Sequence, residues 1–196
     1  MLAALSAASI DENGNLCGVV TVVGTMDSHE LQHFRAEKDE FFLQHPQSPL
    51  PHEARHDFEG LRYYETNDDL VLELDVSPGD NSEVTIATSD GQERTYHRAG
   101  TITLDVGDTK APLTLLSTPG HDGYFLPFRD STSGKESYGA GRYLDLPPAH
   151  HGKIVVDFNY AYNPYCAYSD HYSCALPPVE NWLQVPIEAG EKTFAH

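Results

Sequence analysis

From Gly60 to Phe128 the chain repeats one pattern: a short run of alternating apolar residues, then a cluster of turn formers, at intervals of about ten residues. Leu61-Arg62-Tyr63-Tyr64 and Leu70-Val71-Leu72-Glu73-Leu74-Asp75-Val76 flank the polar turn Thr66-Asn67-Asp68-Asp69. In the second run Leu70, Leu72, Leu74 and Val76 share one side, as a strand buried on one face requires. Ser77-Pro78-Gly79-Asp80-Asn81 is a turn. Strands at Val84–Thr88, Glu93–Arg98, Thr101–Val106, Pro112–Ser117 and Gly123–Phe128 continue the series. This spacing predicts a mainly β fold, an antiparallel β-barrel or a two-sheet β-sandwich.

One helix precedes the strands. Asp27 and Glu30 have capping-box spacing; Leu31, Phe34, Phe41 and Phe42 fall near one face, while Glu37, Lys38 and Asp39 are expected to point away. His45-Pro46 ends the helix, because the residue before a proline is pushed out of the α region. The expected architecture is one N-terminal helix packed on the β domain. Ahead of it, Asp11-Glu12-Asn13-Gly14-Asn15 is turn chemistry, and Val19–Val23 is a β-prone run that could add a strand. Residues 1–25 read as an N-terminal extension and 26–196 as a single β-rich domain.

Composition removes several function classes. A chain of 196 residues with 39% hydrophobic content is long enough to bury a real core. Its 30 acidic and 12 basic residues give a net charge of −18, and only five of the basic residues are Lys. Phosphate backbones need clustered Lys and Arg, so nucleic acid is not expected as a partner, and neither is an anionic membrane. The acidity fits either adaptation to a salty cytoplasm, which screens like-charge repulsion, or an ordinary acidic surface. No apolar run approaches the ~20 residues that span a bilayer, and Met1–Ser9 lacks the basic region of a secretory signal. The expected location is cytoplasmic.

The residues with most chemical content lie between Tyr124 and Pro178. Arg142–Asp145 and Ile154–Asn159 read as strands. If Ile154, Val156 and Phe158 face the core, Val155, Asp157 and Asn159 take the other side. A buried carboxylate needs partners, and Arg142 and Arg129 are the natural ones for Asp157. Two readings stay open here: an internal Arg–Asp network that fixes register, or a pocket floor for a polar ligand. Asp130–Glu136 ends in Gly134-Lys135 but has Arg129 and Glu136 where a phosphate loop needs Gly and Ser or Thr, so it reads as a tight turn between strands. Gly139 and Gly141 mark a bulge or a close backbone approach.

Cys166, His171 and Cys174 could supply three metal ligands, but their spacing fits no standard zinc pattern and a fourth ligand is missing, so no metal is expected. The two thiols read first as buried small hydrophobes. Cys166 as a nucleophile with His171 as base is a further reading, and Asp130 and Asp157 are candidate general bases. His150 and His151 read as exposed loop residues.

Phe125-Leu126-Pro127-Phe128-Arg129-Asp130, Thr132, Gly134, Glu136, Tyr138 and Gly141-Arg142-Tyr143-Leu144-Asp145 together resemble the uncharacterised prokaryotic family designated domain of unknown function 1684. Asp157-Phe158-Asn159, Ala161-Tyr162-Asn163-Pro164, Cys166, Cys174, Pro177-Pro178, Asn181 and Ala189-Gly190-Glu191-Lys192 extend the resemblance from about Leu31 to Lys192. It implies no activity, cofactor or catalytic residue.

The functional expectation is a module that binds a small polar or anionic molecule in a pocket of Arg129, Asp130, Arg142, Tyr143, Asp157, Asn159, Tyr162 and Asn163. Two alternatives stand beside it. One is a hydrolytic enzyme on the same site, with Asp130 or Asp157 as general base or Cys166 as nucleophile. The other is a structural or homo-oligomer-forming protein whose polar network only orders its core.

Overall fold

The computed structural model describes residues 9–10, 16–17, 28–106, 109–120 and 122–194. The runs Asp11–Asn15 and Val19–Val23, and the cap Asp27, lie outside them. The described strands are β1 (Ser9–Ile10), β2 (Leu16–Cys17), β3 (Val71–Asp75), β4 (Ser77–Pro78), β5 (Glu83–Ala87), β6 (Glu93–Val106), β7 (Thr109–Ser117), β8 (Tyr124–Phe128), β9 (Arg142–Leu146) and β10 (Lys153–Asp157). α1 spans Ser28–Gln44 and stops at the predicted His45-Pro46.

The strand pairs are antiparallel. β6 pairs with β4 and β5 along one edge and with β7 on the other, and β7, β8 and β9 follow in order. β10 leaves that sheet and pairs with β3, Val156 opposite Leu72 and Ile154 opposite Leu74. The chain is mainly β, and among the described residues no sheet closes on itself. Two expectations change. The strands expected at Glu93–Arg98 and Thr101–Val106 are one long strand, bent by a register shift between Arg98 and Gly100. Leu61–Tyr64 forms no strand and contributes a single bridge, Tyr63 to Glu191.

Both sheets contribute to one core. Ile102 and Leu104 of β6, Leu113 and Leu115 of β7, Leu126 and Phe128 of β8, Leu144 and Leu146 of β9, and Ile154 and Val156 of β10 are buried together. Each such side chain contributes about 1.5–3 kcal/mol when fully removed from water. The predicted alternation holds in β10 as far as Val156, with Val155 exposed. The strand then ends at Asp157, and Phe158–Tyr160 form a 3-10 turn.

On the other side of β9, a second, aromatic cluster joins Tyr143 to Phe42 of α1 and to Tyr165 and Tyr168. Phe42 meets the Tyr168 ring edge-on at 4.8 Å, and Phe34 packs on Tyr160 at 5.0 Å. These contacts hold α1 against the β domain. The inward stripe of α1 differs from expectation: Lys38 is buried rather than facing water.

Candidate functional site

Period-two alternation puts Arg142 on the same side of β9 as Leu144 and Leu146, so its guanidinium enters the apolar core and is only 1% exposed. It survives there because it is saturated with acceptors. One terminal nitrogen donates to Asp130 Oδ2 (2.6 Å) and to the Ile187 carbonyl (2.7 Å). The other donates to the carbonyls of Ala189 and Glu191. Asp130 is as fully engaged: Oδ1 accepts from the Thr132 amide (2.8 Å) and hydroxyl (2.6 Å), and Oδ2 also accepts from the Ile187 amide (3.2 Å). A carboxylate offers about four acceptor sites, and all are filled.

The stretch after Asp130 is the predicted tight turn between β8 and β9, with Gly134 in the left-handed region. Gly141 has φ of +104°, and a Cβ there would lie 2.6 Å from the Phe128 carbonyl oxygen and 2.7 Å from Pro177. Its close approach is to the chain itself.

Asp157 stands apart from that network. The expected pairing with Arg142 or Arg129 is not formed: Arg142 takes Asp130, and the Arg129 guanidinium lies 4.6 Å over the Trp182 ring. The strand turns at Asp157, and this brings Asn159 back to it. Asp157 Oδ1 caps the turn, accepting from the Asn159 amide (2.8 Å) and side chain (2.9 Å). Asn159 also exchanges hydrogen bonds with the backbone of Asn67, which ties β10 to the loop before β3.

Asp157 Oδ2 is buried without a hydrogen-bond partner, and burial raises this carboxyl above the usual range. The cation nearest this end of β10 is Arg35 of α1, which donates to the Asn159 carbonyl (3.3 Å) and lies 4.3 Å over the Tyr63 ring. Its Nε and the Tyr63 hydroxyl are also buried without partners.

The remaining expected pocket residues are spread over both sides of β9. Tyr143 donates to the Ala175 carbonyl and Tyr162 to Asp145 (2.6 Å), and both hydroxyls are pushed far up by burial. Asn163 donates its side-chain N–H to the Lys192 carbonyl (2.9 Å) and its backbone N–H to Glu191 (2.8 Å).

That Glu191 is a functional-type group the residue-by-residue reading missed. It is 1% exposed and holds Lys38 Nζ and the Tyr168 hydroxyl (2.6 Å). The available signal was its place in the Ala189–Lys192 motif.

Cys166 and Cys174 are free thiols beside β9. The Cys166 amide donates to the Cys174 sulfur (3.3 Å), and the Tyr138 hydroxyl reaches the Cys166 sulfur at 3.7 Å. The Cys174 hydrogen bond above all, helped by the Tyr138 and Ser89 hydroxyls, brings the Cys166 thiol down to about 7 against its burial. Donating to Cys166, together with burial, raises Cys174. His171 is exposed, and only its amide is engaged, at Ser169. Among the described residues no three His, Cys, Asp or Glu side chains are grouped to hold a metal ion.

The profile of a family described as "Protein of unknown function (DUF1684)" matches residues 56–192. The chain belongs to this family. Among solved structures it is similar to the solution NMR structure of an uncharacterised protein from Haloarcula marismortui, at 41% identity and a TM-score of 0.67, over 84% of this chain and 93% of that one. No curated protein matches. The DUF1684 match spans Asp130, Arg142, Asp157, Cys166, Cys174 and Glu191, whereas Arg35 and Lys38 of α1 precede it. No helix among the described residues is long and apolar enough to cross a membrane.

Proposed function

We propose that this protein binds a small polar molecule at the seam between α1 and the turn after β10, with Asp157, Arg35 and Tyr63 as its polar contacts. The observation that carries the reading is the set of unsatisfied buried atoms there: Asp157 Oδ2, Arg35 Nε and the Tyr63 hydroxyl. Buried polar atoms are costly without partners, and three on neighbouring residues mark a place where a partner belongs. The complementary ligand carries a hydroxyl or ammonium donor for Asp157 and an acceptor for the Arg35 N–H, as a small hydroxy acid, amino acid or polyol does.

The other expected pocket residues act behind this seam. Asn159 fixes Asp157 and the Asn67 loop, and Arg142 with Asp130 pins the C-terminal segment. Native mass spectrometry of protein taken directly from lysate tests the reading. A small-molecule adduct on the wild type that is lost in Asp157→Asn and weakened in Arg35→Gln is expected. An adduct indifferent to both substitutions, or none together with no thermal stabilisation by hydroxy acids, amino acids and polyols, overturns it.

A further inference from the structure

Two thiols packed only as small hydrophobes would not each be met by a hydrogen-bond donor. Here the Cys166 amide donates to the Cys174 sulfur (3.3 Å), and the Tyr138 hydroxyl donates to the Cys166 sulfur (3.7 Å). Ser89 supports the pair from the loop after β5, accepting from the Cys174 amide (3.1 Å) while its own amide donates to the Cys174 carbonyl (2.8 Å). The sulfur that accepts the phenol is the half-buried one, and the other is buried. This asymmetry assigns roles: an accessible sulfur stabilised as thiolate, with a protonated one held behind it.

We propose that Cys166 and Cys174 form a dithiol that reduces small hydroperoxides, Cys166 as the attacking sulfur and Cys174 as the resolving one. In the first step the Cys166 thiolate attacks the terminal oxygen of the hydroperoxide. An S–O bond forms, the O–O bond breaks, and the leaving alkoxide or hydroxide takes a proton from water; Cys166 is then a sulfenic acid. In the second step Cys174 gives up its proton and attacks the Cys166 sulfur. The S–O bond breaks, hydroxide leaves with that proton as water, and a disulfide remains. Two thiols have supplied the two electrons that reduced one O–O bond. Two molecules of a small thiol return the pair to its resting state and leave joined as one disulfide. No imidazole is required, because the hydrogen bonds at Cys166 favour its thiolate.

The test uses the full chain carrying Cys17→Ser, which removes the third thiol, with hydrogen peroxide as the probe. Expected are the loss of two hydrogens in intact mass, a Cys166–Cys174 cross-linked peptide, and reversal by dithiothreitol. Cys174→Ser, or Cys174→Ala should that variant fold poorly, stops at a sulfenic acid trapped by dimedone on Cys166. Cys166→Ser leaves Cys174 unoxidised at the same dose.

A purely structural pair is separated from this by iodoacetamide labelling of Cys166 against pH. The profile should have a midpoint near 7. Cys174→Ala, which leaves no donor in that place, should raise that midpoint and slow labelling at neutral pH roughly threefold, because the thiolate fraction falls more than the intrinsic nucleophilicity rises. A midpoint unmoved by Cys174→Ala, peroxide oxidation appearing only in denaturant, or equal oxidation of Cys174 without Cys166 overturns the proposal.

Discussion

Lys38 of α1 and Glu191 of the C-terminal segment form an ion pair in the interior, 153 residues apart in sequence and both almost wholly excluded from water. The Tyr168 hydroxyl and the Asn163 amide complete the carboxylate's shell, and the ammonium lies 4.9 Å from the Tyr162 ring. Removing one member of such a pair leaves the other charge uncompensated. Glu191→Gln and Lys38→Met should each destabilise by about 3–5 kcal/mol in denaturant unfolding. The double variant should be substantially more stable than additivity predicts. Additive losses would mean the two charges do not rely on each other.

Arg142 should not tolerate lysine. Its fork serves Asp130 and three carbonyls from Ile187, Ala189 and Glu191. A lysine has one nitrogen, which cannot occupy both sides of the fork, so two of the four buried acceptors lose their donor. Arg142→Lys should cost about 2–4 kcal/mol by urea unfolding, and Arg142→Met about 3–5 kcal/mol, because Asp130 is then a buried unpaired charge. A lysine variant within about 0.5 kcal/mol of wild type would show that the charge alone suffices.

What the sequence discloses and what it hides divide along the same line. The alternations in Leu70–Val76 and Ile154–Val156 are local, set by the two-residue period of a strand, and they were readable. So was the turn at Asp130–Glu136, because turn chemistry is local as well. The partner of a buried charge is not local. Lys38 looks like the wet side of a helix until Glu191 is brought against it by the aromatic packing of Phe42. Asp157 misled for a related reason: period two predicts its side only while the strand lasts, and the strand ends at that residue. Arg142 and Asp130 are both legible as charged residues of the motif, but their pairing needs the β8–β9 turn to fold Asp130 back over the strand end.

Salt should stabilise this protein. With a net charge of −18 the folded chain repels itself, and the exposed pairs Lys153–Glu73 and Lys110–Asp105 offset little of that. Raising ionic strength from about 0.1 M to about 1 M shortens the screening length from roughly 10 Å to roughly 3 Å. The thermal midpoint should rise over this range, and less so in a variant with the exposed Glu83 and Glu93 changed to Lys. A flat response in the wild type would assign the acidity to solubility alone.

Asp157 ties stability to the proposed binding site through pH. Burial raises its folded-state carboxyl above 3.8, the ordinary value it keeps when unfolded, so the folded chain holds this proton more tightly. Its contribution is therefore fully present below 3.8 and is lost as pH rises through the folded value, where the carboxylate ionises with Oδ2 unpartnered. Asp157→Asn keeps an acceptor for Asn159 and has nothing to ionise. The variant should match wild type at the acid end and become the more stable of the two toward neutral pH, as read by unfolding midpoints across the range. The same substitution should abolish ligand retention, since it removes the open carboxylate oxygen at the seam. A variant less stable than wild type at neutral pH would mean that Asp157 has a compensating partner there and does not await a ligand donor.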